Sequence, residues 1–399
     1  MITGIGLRTP IGNTFADAQS VFRSGKPVIR SAIGPKGQVR AGAFVDADIS
    51  GGFSRAEMAL LDPVAQMALV AADDCVADSG ADFNSFDRDR VGVFVGTGQG
   101  TLHTSSQEFG NLALKDSVKA FSVLRGLGNG AGNFMAIRHK LRGPCETTML
   151  ACSSANTALG HALRAIQYGH VDAALAGGVE ATFCEGSWRV WEAMRVMAKV
   201  DPDSPETSCR PFSADRTGLV LGEGAVIYML EAEEHARARG AKIYAVLAGF
   251  GASCDGSHIS QPDASGQVLA LNACLKDAQL TPSEVGYVNA HGTATPTGDP
   301  VEAQALRMAF GSHANALMVS STKSLHGHLL GAAGAIELLA AISAVRDGLI
   351  ASTANLHTPD PACDLDFVPL HSRQADVQVA VSSNFAFGGS NACIAVTRA

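Results

Sequence analysis

Three side chains stand out for the chemistry they could do. Cys152 follows the apolar run Thr148-Met149-Leu150-Ala151 and precedes Ser153-Ser154-Ala155-Asn156, which reads as the opening of a helix. That order puts a thiol at a helix N-terminus, where unpaired N–H groups and the helix dipole favour a thiolate and can bind an oxyanion. His291 heads the polar turn His291-Gly292-Thr293-Ala294-Thr295-Pro296-Thr297-Gly298-Asp299, whose two hydroxyls are spaced by two. His328 lies in Lys323-Ser324-Leu325-His326-Gly327-His328-Leu329-Leu330-Gly331-Ala332-Ala333-Gly334, where small residues allow close packing beside the next helix. A nucleophilic sulfur and imidazole donors are the chemistry on offer. Taken singly, each residue also fits a structural role, since a lone cysteine commonly packs as a small hydrophobe. His326 and His328 invite a metal reading, but no carboxylate or cysteine sits at a ligand spacing beside them, so no metal is expected.

Other chemistries lack their signatures. Gly126-Leu127-Gly128-Asn129-Gly130-Ala131-Gly132 misses both the G-x-G-x-x-G register and the P-loop lysine, and reads as close packing. No G-x-S-x-G elbow occurs, which sets aside a hydrolase of the α/β type.

The elements that must hold these residues alternate. Glycine punctuates short apolar runs such as Val91–Gly96 and Ala173–Gly178, which read as buried strands. Between them, Ala155, Leu159, Ala162, Leu163 and Ile166 fall at helical spacing and form one apolar stripe. The alternation predicts an α/β protein of βαβ units with parallel sheets. Two echoes suggest an internal duplication. Val91–Gly98 resembles Val285–Gly292, and the Cys152 turn resembles the His328 turn, each opening an alanine- and leucine-rich helix. The expected division is residues 1–245 with the cysteine and 246–399 with both histidines, their reactive turns facing one another. Val200–Ser208 and Thr358–Pro361 read as surface loops.

Composition narrows the class. The chain has 399 residues, 46% hydrophobic and 17% charged, which excludes disorder and calls for much buried surface. A formal charge of −8 without a Lys/Arg-rich run argues against nucleic acid. Nine scattered cysteines without a Cys-x-x-Cys pair indicate a reducing compartment. The apolar stretch Ala335–Ile342 carries a charge and is too short for a bilayer, and the N-terminus lacks the basic start of a secretory signal. A cytoplasmic protein without a membrane segment is expected.

Together, Ala151-Cys152-Ser153-Ser154-Ala155, His291-Gly292-Thr293-Ala294-Thr295, Lys323-x-x-x-Gly327-His328-x-x-Gly331-Ala332-Ala333-Gly334 and Phe385-Ala386-Phe387-Gly388-Gly389-Ser390-Asn391 resemble a β-ketoacyl-acyl-carrier-protein synthase, an elongating condensing enzyme of the thiolase superfamily. The motifs run in the family's order over nearly the whole chain, joined by Asp172–Gly178, Arg210-Pro211-Phe212 and Val220–Gly224. The resemblance implies a thiolase fold, duplicated βαβ halves in a five-layer α-β-α-β-α sandwich. It makes Cys152 the nucleophile and gives His291 and His328 the decarboxylation, with Lys323 in support and Glu337 paired to that lysine. It gives the oxyanion site to the N–H groups of Cys152 and Phe387, and the gate to Phe387. Substrate contacts fall to Thr293, Thr295, Phe385, Gly388 and Gly389. The implied reaction is decarboxylative Claisen condensation of an acyl thioester, held on Cys152, with malonyl-acyl-carrier protein, in fatty-acid or polyketide/polyene elongation. It needs no cofactor and no metal. Its partners are acyl- and malonyl-loaded acyl carrier protein, and the chain forms a homodimer or pairs with a homologous subunit. The alternative is a ketosynthase subunit active only beside a chain-length-factor-like partner.

Four places depart from the family. Ser383-Asn384 is swapped relative to the usual Asn-Ser, and Ala386 replaces a common glycine, so a gate with different mobility is expected. In Ser54–Asp62, where relatives carry several basic residues for carrier docking, only Arg55 remains, leaving docking to Arg125, Arg210 or a partner's surface. Gln99, Thr101, His103 and Thr104 are polar for a saturated-chain channel; an exposed loop is the expected reason, with a polar or unsaturated acyl group as the alternative.

Overall fold

The computed structural model describes residues 1–46, 49 and 52–399. Two five-stranded sheets dominate it. The first is built from β1 (Ile2–Arg8), β2 (Val91–Gly96), β3 (Cys145–Thr148), β4 (Ala173–Glu180) and β5 (Gly224–Glu231), in the order β1-β5-β4-β2-β3. The second is built from β6 (Val246–Cys254), β7 (Tyr287–Asn289), β8 (Met318–Ser320), β9 (Val379–Phe385) and β10 (Ser390–Thr397), in the order β6-β10-β9-β7-β8. Each sheet therefore runs first-fifth-fourth-second-third. In both, the first two pairings are antiparallel and the last two parallel. Both sequence echoes land in equivalent places: Val91–Gly96 and Tyr287–Asn289 are second strands, and the Cys152 and His328 turns follow third strands.

Helices fill the spaces between and outside the sheets. α1 (Pro63–Ser79) and α3 (Gly130–His139) cover the outer face of the first sheet; between them in sequence lies α2 (Leu102–Lys115). After α4 (Ser154–Gln167) and α5 (Glu185–Met194), α6 (Ala264–Asp277) and α7 (Gly298–Phe310) cover the outer face of the second sheet. α4 and α8 (Ala333–Asp347) lie between the sheets, pack on one another and share one core with both. The result is the five-layered α/β thiolase fold. α4 buries the stripe read from its spacing, Ala155, Leu159 and Ala162. α8 is buried at every residue from Ala333 to Val345, as a helix with a sheet on both sides must be, and Glu337 is its one charge there. At Gly160 a Cβ would lie 2.2 Å from the Phe250 ring, so only glycine lets α4 approach β6 this closely. Among the described residues no helix is long and apolar enough to cross a membrane.

Two expectations need correction. The Gly126–Gly132 run is close-packed only at its first residue: a Cβ at Gly126 would come within 2.9 Å of the Ser122 carbonyl, whereas Cβ atoms at Gly128, Gly130 or Gly132 would meet neighbours at 3.4 Å or more, ordinary contact. Gln99–Thr104 is not an exposed loop. Thr101 and Thr104 are buried, and the N–H and hydroxyl of Thr104 both donate to Asp62, at 2.9 and 2.6 Å.

Candidate active site

The two turns that carry the reactive residues repeat one backbone device. Ala151 adopts φ +48° and Leu330 φ +47°, in a region that L side chains enter at a cost. Each starts a single 3₁₀ turn, Ala151–Ser153 or Leu330–Ala332, that runs straight into α4 or α8. Cys152 and Gly331 are thus the same position of two matching turns. Ser154 ties the first turn down: its hydroxyl donates to the carbonyl of Ala151 and accepts from the N–H of Leu150.

The fold brings the three expected side chains together. Cys152 Sγ and a ring nitrogen of each of His291 and His328 lie within 4.8 Å of one another, all buried. His328 Nε2 is 3.0 Å from Cys152 Sγ, and the two imidazoles stand edge to face with centroids 5.3 Å apart. Behind them Lys323 and Glu337 form a fully buried ion pair. Lys323 Nζ also faces His291 Nδ1 at 3.4 Å. Asn384 Nδ2 donates to Glu337 at 2.8 Å and faces the same Nδ1 at 3.2 Å.

These contacts fix the tautomers. Nδ1 of His291 meets two donors, so it accepts and the ring proton sits on Nε2. Nδ1 of His328 accepts from the N–H of Leu330 at 3.3 Å, which likewise puts its proton on Nε2. Both rings therefore offer N–H groups where a metal would need lone pairs, so the donor set fits a substrate oxygen and not a cation. Burial holds both imidazoles well below the ordinary histidine range, helped by the neighbouring Lys323 charge, so they stay neutral.

The sulfur behaves differently from the sequence expectation. Burial pushes the Cys152 thiol up to about 12; Lys323 pulls it down, while Glu337 and Glu180 add to the rise. A dry site penalises the thiolate and so works against what its position at the helix start favours. Burial likewise raises Glu337 to about 7 against the pull of Lys323.

A cavity of about 340 Å³ opens onto this cluster. Thr293, Thr295 and Phe385 line it with Cys152 and the two histidines, and the two hydroxyls are 3.0 Å apart. Phe387 lines its mouth, partly exposed and stacked on Trp191 with centroids 6.3 Å apart. Gly388 and Gly389 supply the unusual backbone of this loop, at φ +84° and +73°, and only Gly389 lines the cavity. Ala386 sits at φ −100°, ordinary extended backbone, so the loop's freedom does not depend on a glycine there.

The chain matches the family described as beta-ketoacyl synthase, through its N-terminal domain over residues 1–236 and its C-terminal domain over residues 244–357. It belongs to the β-ketoacyl synthase family. Among curated relatives, the 3-oxoacyl-[acyl-carrier-protein] synthase 2 of Synechocystis sp. is 37% identical, over 99% of this chain and 97% of its own length. Nodulation protein E of Rhizobium meliloti is 39% identical, over 99% and 98%. Among solved structures, the ishigamide ketosynthase/chain length factor superposes with a TM-score of 0.93 at 28% identity, covering 100% of this chain and 98% of the other. The protein is accordingly a condensing enzyme of the acyltransferase class.

Four residues of this synthase's site were not singled out as such from sequence. Asn384, noted only as half of a swapped pair, orients His291 and Glu337, while Ser383 donates to Glu302 at 3.2 Å. Glu302 accepts the backbone N–H groups of His291 and Gly292, each at 2.7 Å. Glu180 ends β4 as a fully buried carboxylate. A charge closing the apolar run Ala173–Val179 is the signal that could have found it. Of the residues offered for carrier docking, Arg210 is tied to Asp215 and Thr207, whereas Arg55 is exposed on a single helical turn, Arg55–Met58.

Proposed function

We propose that Cys152, His291 and His328 carry out the condensation of this synthase. The observation that carries the reading is the Nε2–H of His328 at 3.0 Å from the Cys152 sulfur, beside a second imidazole with the same tautomer. Cys152 attacks the carbonyl of an acyl thioester. The tetrahedral oxyanion is held by the N–H groups of Cys152 and Phe387. The carrier sulfur leaves with the proton that the cysteine thiol gives up, and the acyl group stays on Cys152. Malonyl-acyl-carrier protein then enters past Phe387, with its pantetheine arm against Thr293 and Thr295 and beside Phe385, Gly388 and Gly389.

Its carboxylate departs as carbon dioxide, and the electron pair left behind becomes an enolate whose oxygen receives both Nε2–H groups. The enolate carbon bonds to the acyl carbonyl, the bond to Cys152 breaks, the sulfur takes up a proton from solvent to become the thiol again, and the β-ketoacyl chain leaves on the carrier. Lys323 and Glu337 act from behind. The ammonium at Nδ1 of His291 keeps that ring a donor, and Glu337 balances the buried charge.

The partners are acyl carrier protein and a second, homologous subunit. β3 is an edge of the first sheet and is largely exposed, and Phe109, Leu114, Phe121 and Val123 are exposed on α2 and the segment that follows. An open strand edge and exposed apolar side chains suit a subunit interface, of a homodimer or of a pair with a chain-length-factor-like chain. We treat residues 1–245 and 246–399 as the two halves of the fold. Nine free cysteines suit a cytoplasmic setting.

Intact-mass measurement tests the reading. Incubation with acyl- and malonyl-carrier protein should give an acyl adduct on Cys152 and an extended carrier product. Acylation only after a homologous partner is added would favour the heterodimer, and no adduct under either condition would sink the assignment of Cys152.

A further inference from the structure

Among the described residues Glu180 has no cation beside it, and it has no place in the steps above, yet it is completely buried at the end of β4. Its carboxylate is caged by backbone donors. Oε2 accepts the N–H of Gly98 at 2.7 Å and that of Gly331 at 2.9 Å, and Oε1 accepts the N–H of Gln99 at 3.1 Å. Gly98 and Gln99 belong to the turn after β2, whose Thr97 carbonyl accepts from Ser154, two residues beyond Cys152. Gly331 belongs to the other half of the molecule. The peptide before it starts at Leu330, whose N–H holds Nδ1 of His328.

The matching turns explain why a carboxylate stands there. Gly331 occupies in the second turn the position that Cys152 occupies in the first. At Cys152 the N–H points at the residue's own sulfur and, in the mechanism above, receives the oxyanion. At Gly331 the corresponding N–H is already saturated by Glu180. The protein thus fills one of its two equivalent anion sites with its own side chain.

We infer that Glu180 is a positioning residue that bolts the His328 turn to the Cys152 turn and so sets His328 in register with the sulfur. The inference rests on the proposed role of His328 in decarboxylation. Space around the bolt is tight: a Cβ on Gly98 would come within 2.8 Å of Glu180 Oε2 and 3.0 Å of the Gly331 nitrogen.

The test compares two half-reactions of the full-length enzyme, acylation of Cys152 by acyl-carrier protein and decarboxylation of malonyl-carrier protein, in two variants. Glu180→Gln keeps the shape but turns an amide donor toward backbone donors. Gly98→Ala wedges the same contact from the opposite side and leaves the carboxylate in place. Both should lower kcat for decarboxylation roughly 10- to 100-fold, with KM for malonyl-carrier protein within about twofold and acylation reduced far less. In Glu180→Gln, alkylation of Cys152 should also shift to lower pH, because one of the charges opposing the thiolate is gone.

A parallel fall in both half-reactions that follows thermal stability would overturn the inference, as would unchanged decarboxylation in Gly98→Ala. If Glu180→Gln does not fold, the Gly98→Ala kinetics decide alone. Wild-type enzyme that acylates Cys152 but leaves malonyl-carrier protein intact would overturn the reading of His328, and this inference with it.

Discussion

The two halves share strand order, pairing directions and the positive-φ turn after the third strand, but they fill that frame with different chemistry. Counted from the register pairs Gly96↔Gly178 and Asn289↔Ser382, Gly98 corresponds to His291 and Glu180 to Asn384. In both halves the fourth-strand residue reaches the second-strand residue: Glu180 accepts a backbone N–H from Gly98, and Asn384 donates to the ring of His291. In the first half the link is backbone held by a carboxylate. In the second it is an imidazole held by an amide. The repeat supplies positions, and the asymmetry of side chains supplies a reaction that needs one nucleophile and two donors instead of two of each.

That contrast can be broken most sharply at the sulfur. Cys152→Ala makes the first turn as unreactive as the second, and chain extension should fall by roughly 10³-fold or more with no acyl adduct by intact mass. The donors come next. His291→Ala and His328→Ala should each lower malonyl decarboxylation by roughly 10²- to 10³-fold, and acylation should suffer more in His328→Ala, because only that ring touches the sulfur.

A smaller effect separates burial from the helix start. With the thiol raised to about 12, the neutral form prevails below that value, so the alkylation rate of Cys152 in the free enzyme should climb about tenfold per pH unit from 7 to 10 without levelling. A plateau near pH 8 would mean that the helix N-terminus wins. The smallest effect belongs to the gate. Ala386 already lies in extended backbone, so Ala386→Gly should change acylation rates by less than about twofold across a chain-length series.

What the sequence made legible was whatever a short stretch of chain decides. The turns of Cys152 and His328, the strand at Val91–Gly96, the stripe of α4 and the duplication all follow from local spacing, and the structure has each of them. The burial that opposes a thiolate at Cys152 was not legible, because a helix start is visible in six residues whereas the desolvation of the sulfur is set by segments far away in the chain. Gln99–Thr104 was misread for the same reason: four polar residues look exposed until Asp62, some forty positions away, is found to accept from one of them. Asn384 and Glu180 gain their roles from partners in distant segments, and no window of sequence contains both ends of those contacts.

The burial of α8 on all sides bears on how the chain reaches its native state. A helix this apolar has no face for water, so until both sheets enclose it the second half alone presents an adhesive rod to solvent. Folding of the two halves is thereby coupled into one cooperative event, and residues 246–399 made by themselves would aggregate rather than fold. The ribosome releases Cys152 and its sheet first, and they must wait as a receptive surface for the helix that completes them.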